Sequence, residues 1–400
     1  MAQLASEQQG VGPDKIPGKI LFSSYNIIKF PLLFVINESP KQGIFLSSLK
    51  MSRIASIYKN KGNVNYLKNY RPIAIQNVLA KVFEKIYYRQ LMSFLEKENL
   101  ITACQHGFRQ GRSTASAVYY AVEHMLSCLG PKQETLGMFF DFSKAFDHVN
   151  HYLLLTKMDR IGIRGILNNW IRSCPLNCSQ TVSLNVMGYR ESSLEVPQGS
   201  ILSPVLFLIY INDLAFSFNG RVYAQLLFYA DDTNILVSAP SYSNLLDKSK
   251  LAANHLSNLC KDNLLNLNVE KCQMIHFSHS RKADQSLLVK LNQKSIQQVS
   301  TIKFLCINLS SNITWELHID ALSVKLSTTC YIFRQLRYSV SRDILLTVYY
   351  GYFYPHITYG LLLWGSSPHS NKIFKMQKRA VRIIAWKLHD SPSKPIFNSL

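Results

Sequence analysis

Apolar residues recur at three- and four-residue steps between Asn77 and Leu95 (Leu79, Val82, Phe83, Ile86, Tyr87, Leu91, Phe94, Leu95), the spacing of one face of an amphipathic helix. Asn77 stands where a capping side chain belongs. Residues 114–129, 150–160, 203–216 and 243–263 predict further helices. Strands are predicted at 53–58, 70–75, 136–142 and 179–186, in a strand–turn–strand at 222–238, and near 272–278, 286–291 and 301–309. The first two join through a basic turn, Lys59-Asn60-Lys61-Gly62-Asn63, into a hairpin. Residues 20–28 and 32–36 read as apolar pieces broken by Lys29, Pro31, Pro40 and Gly43, and from 315 onward the pattern is mainly helical. Strand, helix, strand–turn–strand and helix across 136–263 predict an α+β fold: a small antiparallel sheet with helices on one face.

Two of these strands run into acids. Leu226-Leu227-Phe228-Tyr229-Ala230 leads to Asp231 and Asp232, and Met138-Phe139-Phe140 leads to Asp141. Two carboxylates about 4 Å apart repel by roughly 4 kcal/mol even at an effective dielectric of 20, so a cation is the natural companion. Three acids on two strand ends are the donor set a two-metal phosphoryl-transfer site needs.

The formal charge of +20 over 400 residues predicts a polyanionic partner, nucleic acid being the commonest. The excess is spread along the chain; residues 321–400 alone hold eleven Lys or Arg against two acids, Asp343 and Asp390. Eight cysteines form no C-x-x-C pairs and read as packed, reduced thiols rather than zinc ligands. Residues 1–14 lack the apolar stretch of a signal peptide. Leu345 to Trp364 carries no Lys, Arg, Asp or Glu, yet tyrosines run through its middle. It reads as aromatic core or a nucleic-acid-facing surface rather than a membrane span.

The motifs, taken together, resemble the reverse transcriptases of non-LTR (LINE-type, jockey-like) retrotransposons. Tyr-Ala-Asp-Asp at 229–232 is similar to their signature, and Phe-Asp-Phe-Ser-Lys-Ala-Phe-Asp at 140–147 to their first acidic motif. Val-Pro-Gln-Gly-Ser-Ile-Leu-Ser-Pro at 196–204 and Leu-Phe-Leu-Ile-Tyr-Ile-Asn-Asp-Leu at 206–214 follow the same pattern. So do Asn-Tyr-Arg-Pro-Ile at 69–73, Gly-Phe-Arg-Gln-Gly-Arg-Ser-Thr at 107–114, Leu-Asn-Val-Glu-Lys at 267–271, Lys-Phe-Leu at 303–305 and Gln-Lys-Arg-Ala-Val-Arg-Ile-Ile at 377–384.

The resemblance implies a right-hand polymerase: a lead-in at 1–50, fingers at 51–125, an antiparallel-sheet palm at 126–305 and a helical thumb or connection at 306–400. It implies RNA-directed DNA synthesis, with an RNA template, a DNA or RNA primer and deoxynucleoside triphosphates as partners and no membrane or obligate protein partner. Asp141, Asp231 and Asp232 would hold two Mg²⁺ ions, for which Mn²⁺ could substitute, and Lys271 would protonate the pyrophosphate. Lys59, Lys61, Arg71, Arg109, Phe146, Gln198 and Gly199 would contact the nucleotide, and Lys303, Phe304 and Leu305 would grip the primer. Location would be nuclear or cytoplasmic, following the element's life cycle.

The chain departs from the family pattern where Glu195, Ser203 and Cys306 replace usual glycines and Cys178 a usual arginine. A side chain forced to positive φ costs about 1–2 kcal/mol. Residues 1–50 are too short for the nuclease domain such elements carry, so the chain reads as a fragment of one. The alternative activity is therefore a nucleic-acid-binding remnant without turnover.

Overall fold

The computed structural model describes residues 11–130, 133–174, 179–182, 191–192, 199–218, 224–278 and 287–399. The strands are β1 (Met51–Tyr58), β2 (Tyr70–Gln76), β3 (Glu134–Phe140), β4 (Ser179–Val182), β5 (Glu191–Ser192), β6 (Ala224–Tyr229) and β7 (Asp232–Ala239). They continue with β8 (Gln273–Phe277), β9 (Lys290–Leu291), β10 (Lys294–Ser295), β11 (Gln297–Gln298), β12 (Thr301–Phe304) and β13 (Ile307–Ser310). The longer helices are α1 (Tyr25–Lys41), α2 (Val78–Lys97), α3 (Thr114–Leu129), α4 (His151–Arg160), α5 (Gly165–Ser173) and α6 (Ser203–Phe216). After them come α7 (Tyr242–Asp262), α8 (Glu316–Leu336), α9 (Arg342–Val348) and α10 (Asn371–Ile384). Among the described residues no helix is long and apolar enough to cross a membrane.

The chain forms two units, each assembled from three segments. The first comprises Met1–Phe108, Asp141–Gly220 and His255–Asn268. Its sheet runs β2-β1-β4-β5, with β1 antiparallel to β2 and parallel to β4. Phe45, Phe83, Tyr87 and Trp170 form an aromatic cluster with ring centroids 4.3–6.5 Å apart. Trp170 Nε1 donates to Ser39 Oγ at 2.9 Å, and the Tyr87 hydroxyl donates to the Ile36 carbonyl at 2.6 Å. These anchors explain a correction. Residues 25–41 are one helix that continues through Pro31 and Pro40 rather than broken pieces. Proline costs a helix interior about 3 kcal/mol, but tertiary contacts to Ile36 and Ser39 fix the helix's second half.

Two other expectations change here. Asn77 occupies the cap position of α2 but caps nothing. Its Oδ1 accepts from the Asp14 amide at 3.2 Å, and its Nδ2 donates to the Ser48 carbonyl at 3.4 Å. Ser203 opens α6 without positive φ, so replacing glycine there brings no backbone strain. Glu195 and Cys178 lie outside the described residues. Helix α5, unforeseen from the sequence, is nine residues long and buries Trp170 and Ile171.

The first unit also holds a partly buried ammonium. Lys157 Nζ donates to the Tyr210 carbonyl, to Asp213 Oδ1 at 2.9 Å and to Asn263 Oδ1, tying α4, α6 and the chain after α7 together. Burial pushes its pKa down; the bond and charge of Asp213 oppose that.

The second unit comprises Arg109–Phe140, Arg221–Asn254 and Val269–Leu400. Its five-stranded sheet runs β11-β8-β3-β7-β6, antiparallel except for the β11–β8 pair. Helix α3, capped by a reciprocal Ser113–Ser116 box, packs Ala117, Val118, Ala121 and Met125 into a core with Phe139, Leu227, Leu236 and Ile275. A second core joins α8, α9 and α10 with the run 345–364. That run faces both ways: Leu345, Tyr349, Phe353, Ile357 and Trp364 are buried, while Tyr350, Tyr352 and Tyr354 are exposed.

Strands β12 and β13 pair Phe304 with Ile307 across a two-residue turn in which Leu305 has φ +42° and Cys306 φ +70°. Positive φ at both central residues is the hairpin pattern that favours Asn-Gly or Gly-Gly. Cys306→Gly should therefore stabilise the protein by about 0.5–1 kcal/mol, read as a higher denaturation midpoint. Lys157→Met should cost about 2–4 kcal/mol in a denaturant titration, because it leaves the Tyr210 and Asn263 oxygens without their charged donor.

Candidate active site

The acids at 231 and 232 sit where they do because of strand register. Tyr229 pairs with Asp232 at the head of the β6–β7 hairpin, leaving Ala230 and Asp231 as the turn. Ala230 takes φ +55°, the first central position of a II′-like turn that glycine usually fills. On the other side of β7, Thr233 pairs with Phe140, the last residue of β3. Asp141 is the next residue along the chain. It therefore follows the strand, whereas the sequence pattern had put it inside. Asp231 is half-buried and Asp232 exposed. Among the described residues no three His, Cys, Asp or Glu side chains form a ready-made metal cage.

In the first unit the Asp141 carbonyl accepts from the Asn268 amide at 2.8 Å, and Phe142 bridges Leu267. The Leu-Asn-Val stretch is thus tied to the backbone of the first acid. Phe146 is half-buried, its ring 4.7 Å from that of Phe207 on α6. Lys59 and Lys61 are exposed at the β1–β2 hairpin tip, and Arg71 is exposed on β2 opposite Ile57.

Gly199 has φ +130°, and a Cβ there would lie 2.4 Å from the Ala74 carbonyl oxygen of β2. The expected close approach is real, but β2 itself occupies the space. Gln198 lies outside the described residues. Just after Gly199, Glu84 of α2 reaches the loop. Its Oε2 accepts from Ser200 Oγ at 2.8 Å and from the amides of Ile201 at 2.6 Å and Leu202 at 3.4 Å. Its Oε1 accepts from Gln76 Nε2 at 2.7 Å. Burial pushes the Glu84 carboxyl up, and these four hydrogen bonds pull against that without reversing it. The sequence reading missed Glu84. Its signal was there: Ala80, Glu84, Tyr87, Leu91 and Leu95 form one buried helical stripe with a carboxylate in it.

The remaining candidates belong to the second unit. Arg109 is half-buried after Phe108, and Lys271 is exposed in the turn before β8. Lys303 is exposed, while Phe304 is buried with its ring 5.3 Å from that of Phe139 on β3. The Leu305 carbonyl accepts from the hydroxyl of Tyr359, another residue the sequence reading missed. Burial raises the Tyr359 pKa. Gly360, at φ +65°, lies so close to Ile307 that a Cβ would come within 2.8 Å of its Cδ1.

The chain is 27% identical over 369 residues to a probable RNA-directed DNA polymerase from transposon BS of Drosophila melanogaster, covering 88% of this chain and 40% of that protein. It is 24% identical over 394 residues to the RNA-directed DNA polymerase from the mobile element jockey of the same fly, covering 93% and 42%. The chain thus spans about two fifths of the length of these relatives. Among solved structures, a telomerase from Candida albicans aligns over 87% of this chain and 66% of its own, at 11% identity and a TM-score of 0.48. The family model for reverse transcriptase (RNA-dependent DNA polymerase) matches residues 57–309, from the β1–β2 hairpin through the acids to β13. Both units contribute to that span, and with its α+β, right-hand polymerase architecture the chain belongs to the reverse transcriptase family.

Proposed function

We propose that this chain is the polymerase region of a non-LTR retrotransposon protein, extending a primer 3′-hydroxyl with deoxynucleoside triphosphates on an RNA template. The observation that carries the reading is the register that sets Phe140 opposite Thr233 and Tyr229 opposite Asp232, within the stretch matched to the family. In this reading Asp141, one peptide beyond Phe140, is a metal-holding acid, as are Asp231 and Asp232. Residues 51–125 serve as fingers, 126–305 as palm and 306–400 as thumb.

The carboxylates offer hard oxygen donors suited to Mg²⁺, or to Mn²⁺ in its place. Mg²⁺ commonly takes one or two carboxylates and completes its shell with substrate phosphates and water, so an all-protein cage is not required. When bound, the pair would lower the pKa of the primer hydroxyl and offset charge on the leaving pyrophosphate. The protein's own groups do the positioning. Lys59, Lys61 and Arg71 supply cations to the triphosphate from the hairpin, and Arg109 adds another. Phe146, steadied by Phe207, bars a 2′-hydroxyl by bulk. Gln198 and Gly199 line the nucleotide and template, Lys271 delivers a proton to pyrophosphate, and Lys303, Phe304 and Leu305 hold the primer end.

Primer extension on a primed RNA template tests this directly. Asp231→Asn and Asp141→Asn should each lower extension by more than about 100-fold, beyond the loss of an outer-shell partner, while duplex affinity measured by anisotropy stays within about twofold. Retention of duplex by the wild type without extension would instead mark a nucleic-acid-binding remnant. If the basic surface neutralises some six or more phosphates, duplex affinity should fall by about 10³-fold or more between 50 and 200 mM salt. A salt-insensitive affinity would contradict the charge argument.

A further inference from the structure

We infer that Glu84 is a positioning residue for nucleotide binding: one buried carboxylate fixes both the Gly199 turn and the β2 strand that carries Arg71. The inference rests on the polymerase reading and concerns a residue that touches no substrate. Its two oxygens divide the task. Oε1 holds Gln76 at the end of β2, while Oε2 holds Ser200, Ile201 and Leu202, more than a hundred residues away in sequence. Gly199 is pressed against Ala74 of the same strand. The strand and the turn are therefore aligned to each other through the Glu84 side chain and the close approach of Gly199 to Ala74.

Packing cannot do this alone. On one side the loop borders an open cavity of about 350 Å³, walled by Leu154, Leu155, Ile171 and Leu206 and reaching Ser200, Leu202 and Ser203. Among the described residues the loop meets open space there, and hydrogen bonds hold it on that side. Charge suits the task as well. The Ile201 and Leu202 amides lie at the start of α6, where unpaired N–H groups and the helix dipole favour an anion. Gln76 Oε1 is buried and finds no hydrogen-bond partner among the described residues. A glutamine at 84 could donate to it after an amide flip while still accepting from Ser200 and Ile201. Glu84→Gln is therefore the conservative variant, and Glu84→Ala the disruptive one.

The experiment measures primer extension, duplex affinity and amide exchange for the wild type and both variants. Glu84→Ala should raise KM for deoxynucleotide about tenfold or more, leaving kcat within about threefold and duplex affinity within about twofold. Glu84→Gln should bring KM back to within about threefold of wild type. Exchange at the Ile201 and Leu202 amides should quicken in Glu84→Ala while the middle of α2 stays protected. An unchanged KM in Glu84→Ala overturns the inference. A parallel fall in kcat, duplex affinity and melting temperature that Glu84→Gln does not relieve also overturns it, because that pattern means a merely structural carboxylate. If the wild type binds duplex without extending it, the polymerase reading fails separately. Amide exchange then decides the positioning, and unchanged exchange at Ile201 and Leu202 sinks it.

Discussion

The tight turn between β6 and β7 is the constraint on which the rest depends. In a sheet with one wet face, alternation of apolar and polar residues fixes register, because a one-residue slip would expose the buried set. Here that safeguard is weak. Thr233 to Val237 are all buried, as are Thr135 to Phe140 on β3, so the central strands carry little alternation to resist a slip. A two-residue connection removes the freedom that the side-chain pattern leaves, because its length and geometry allow one pairing. The geometry is not free: Ala230 sits at φ +55°, where a side chain costs about 1–2 kcal/mol. Strain of this kind persists where the surroundings over-determine it, and it commonly marks functional positions.

The first unit solves a related problem by other means. A strand, a glycine turn and a helix start from distant parts of the chain must keep a fixed spacing. Gly199 sets a minimum distance, because its missing Cβ lets the backbone lie on Ala74. Glu84 sets a maximum by holding donors on both sides. A steric floor and an electrostatic ceiling define a distance more sharply than either alone. The carboxylate is costly to bury, as its raised pKa records, and it is tolerable because each oxygen meets at least one donor.

Much of this was legible in the sequence, and the limits have physical causes. Helices at 114–129, 150–160 and 203–216 were readable from length and apolar content, and the structure returns them within a residue. The strand ends carrying acids were readable because charge interrupting an apolar run is a strong signal. Helix α5 was not, since nine residues give only about two and a half turns of periodicity. Helix α1 was misread because proline is a local signal, while the bonds to Ile36 and Ser39 come from residues about 50 and 130 positions away. The same asymmetry governs the site. Side chains that face a ligand carry family motifs, whereas Glu84 and Tyr359 act on backbone groups of remote segments. Glu84 at least betrayed itself by standing in an apolar stripe. Tyr359 had no such mark among its aromatic neighbours.

That last residue links the C-terminal helical region to the β12–β13 turn. Leu305 and Cys306 both hold positive φ with no glycine to ease it, so the turn needs outside support. The support comes from two adjacent residues. The half-buried Tyr359 hydroxyl holds the Leu305 carbonyl, and Gly360 allows the backbone to press against Ile307 on the strand that follows. Tyr359 is itself fixed, because its carbonyl accepts from the Trp364 indole at 3.0 Å, and Trp364 lies in the core shared by α8, α9 and α10. The β12–β13 turn is thus strained locally and stabilised from more than fifty residues downstream. It follows that the turn cannot be treated as a free-standing motif. Its shape belongs to the helical core behind it, and any change that loosens Trp364 reaches the Leu305 carbonyl through Tyr359.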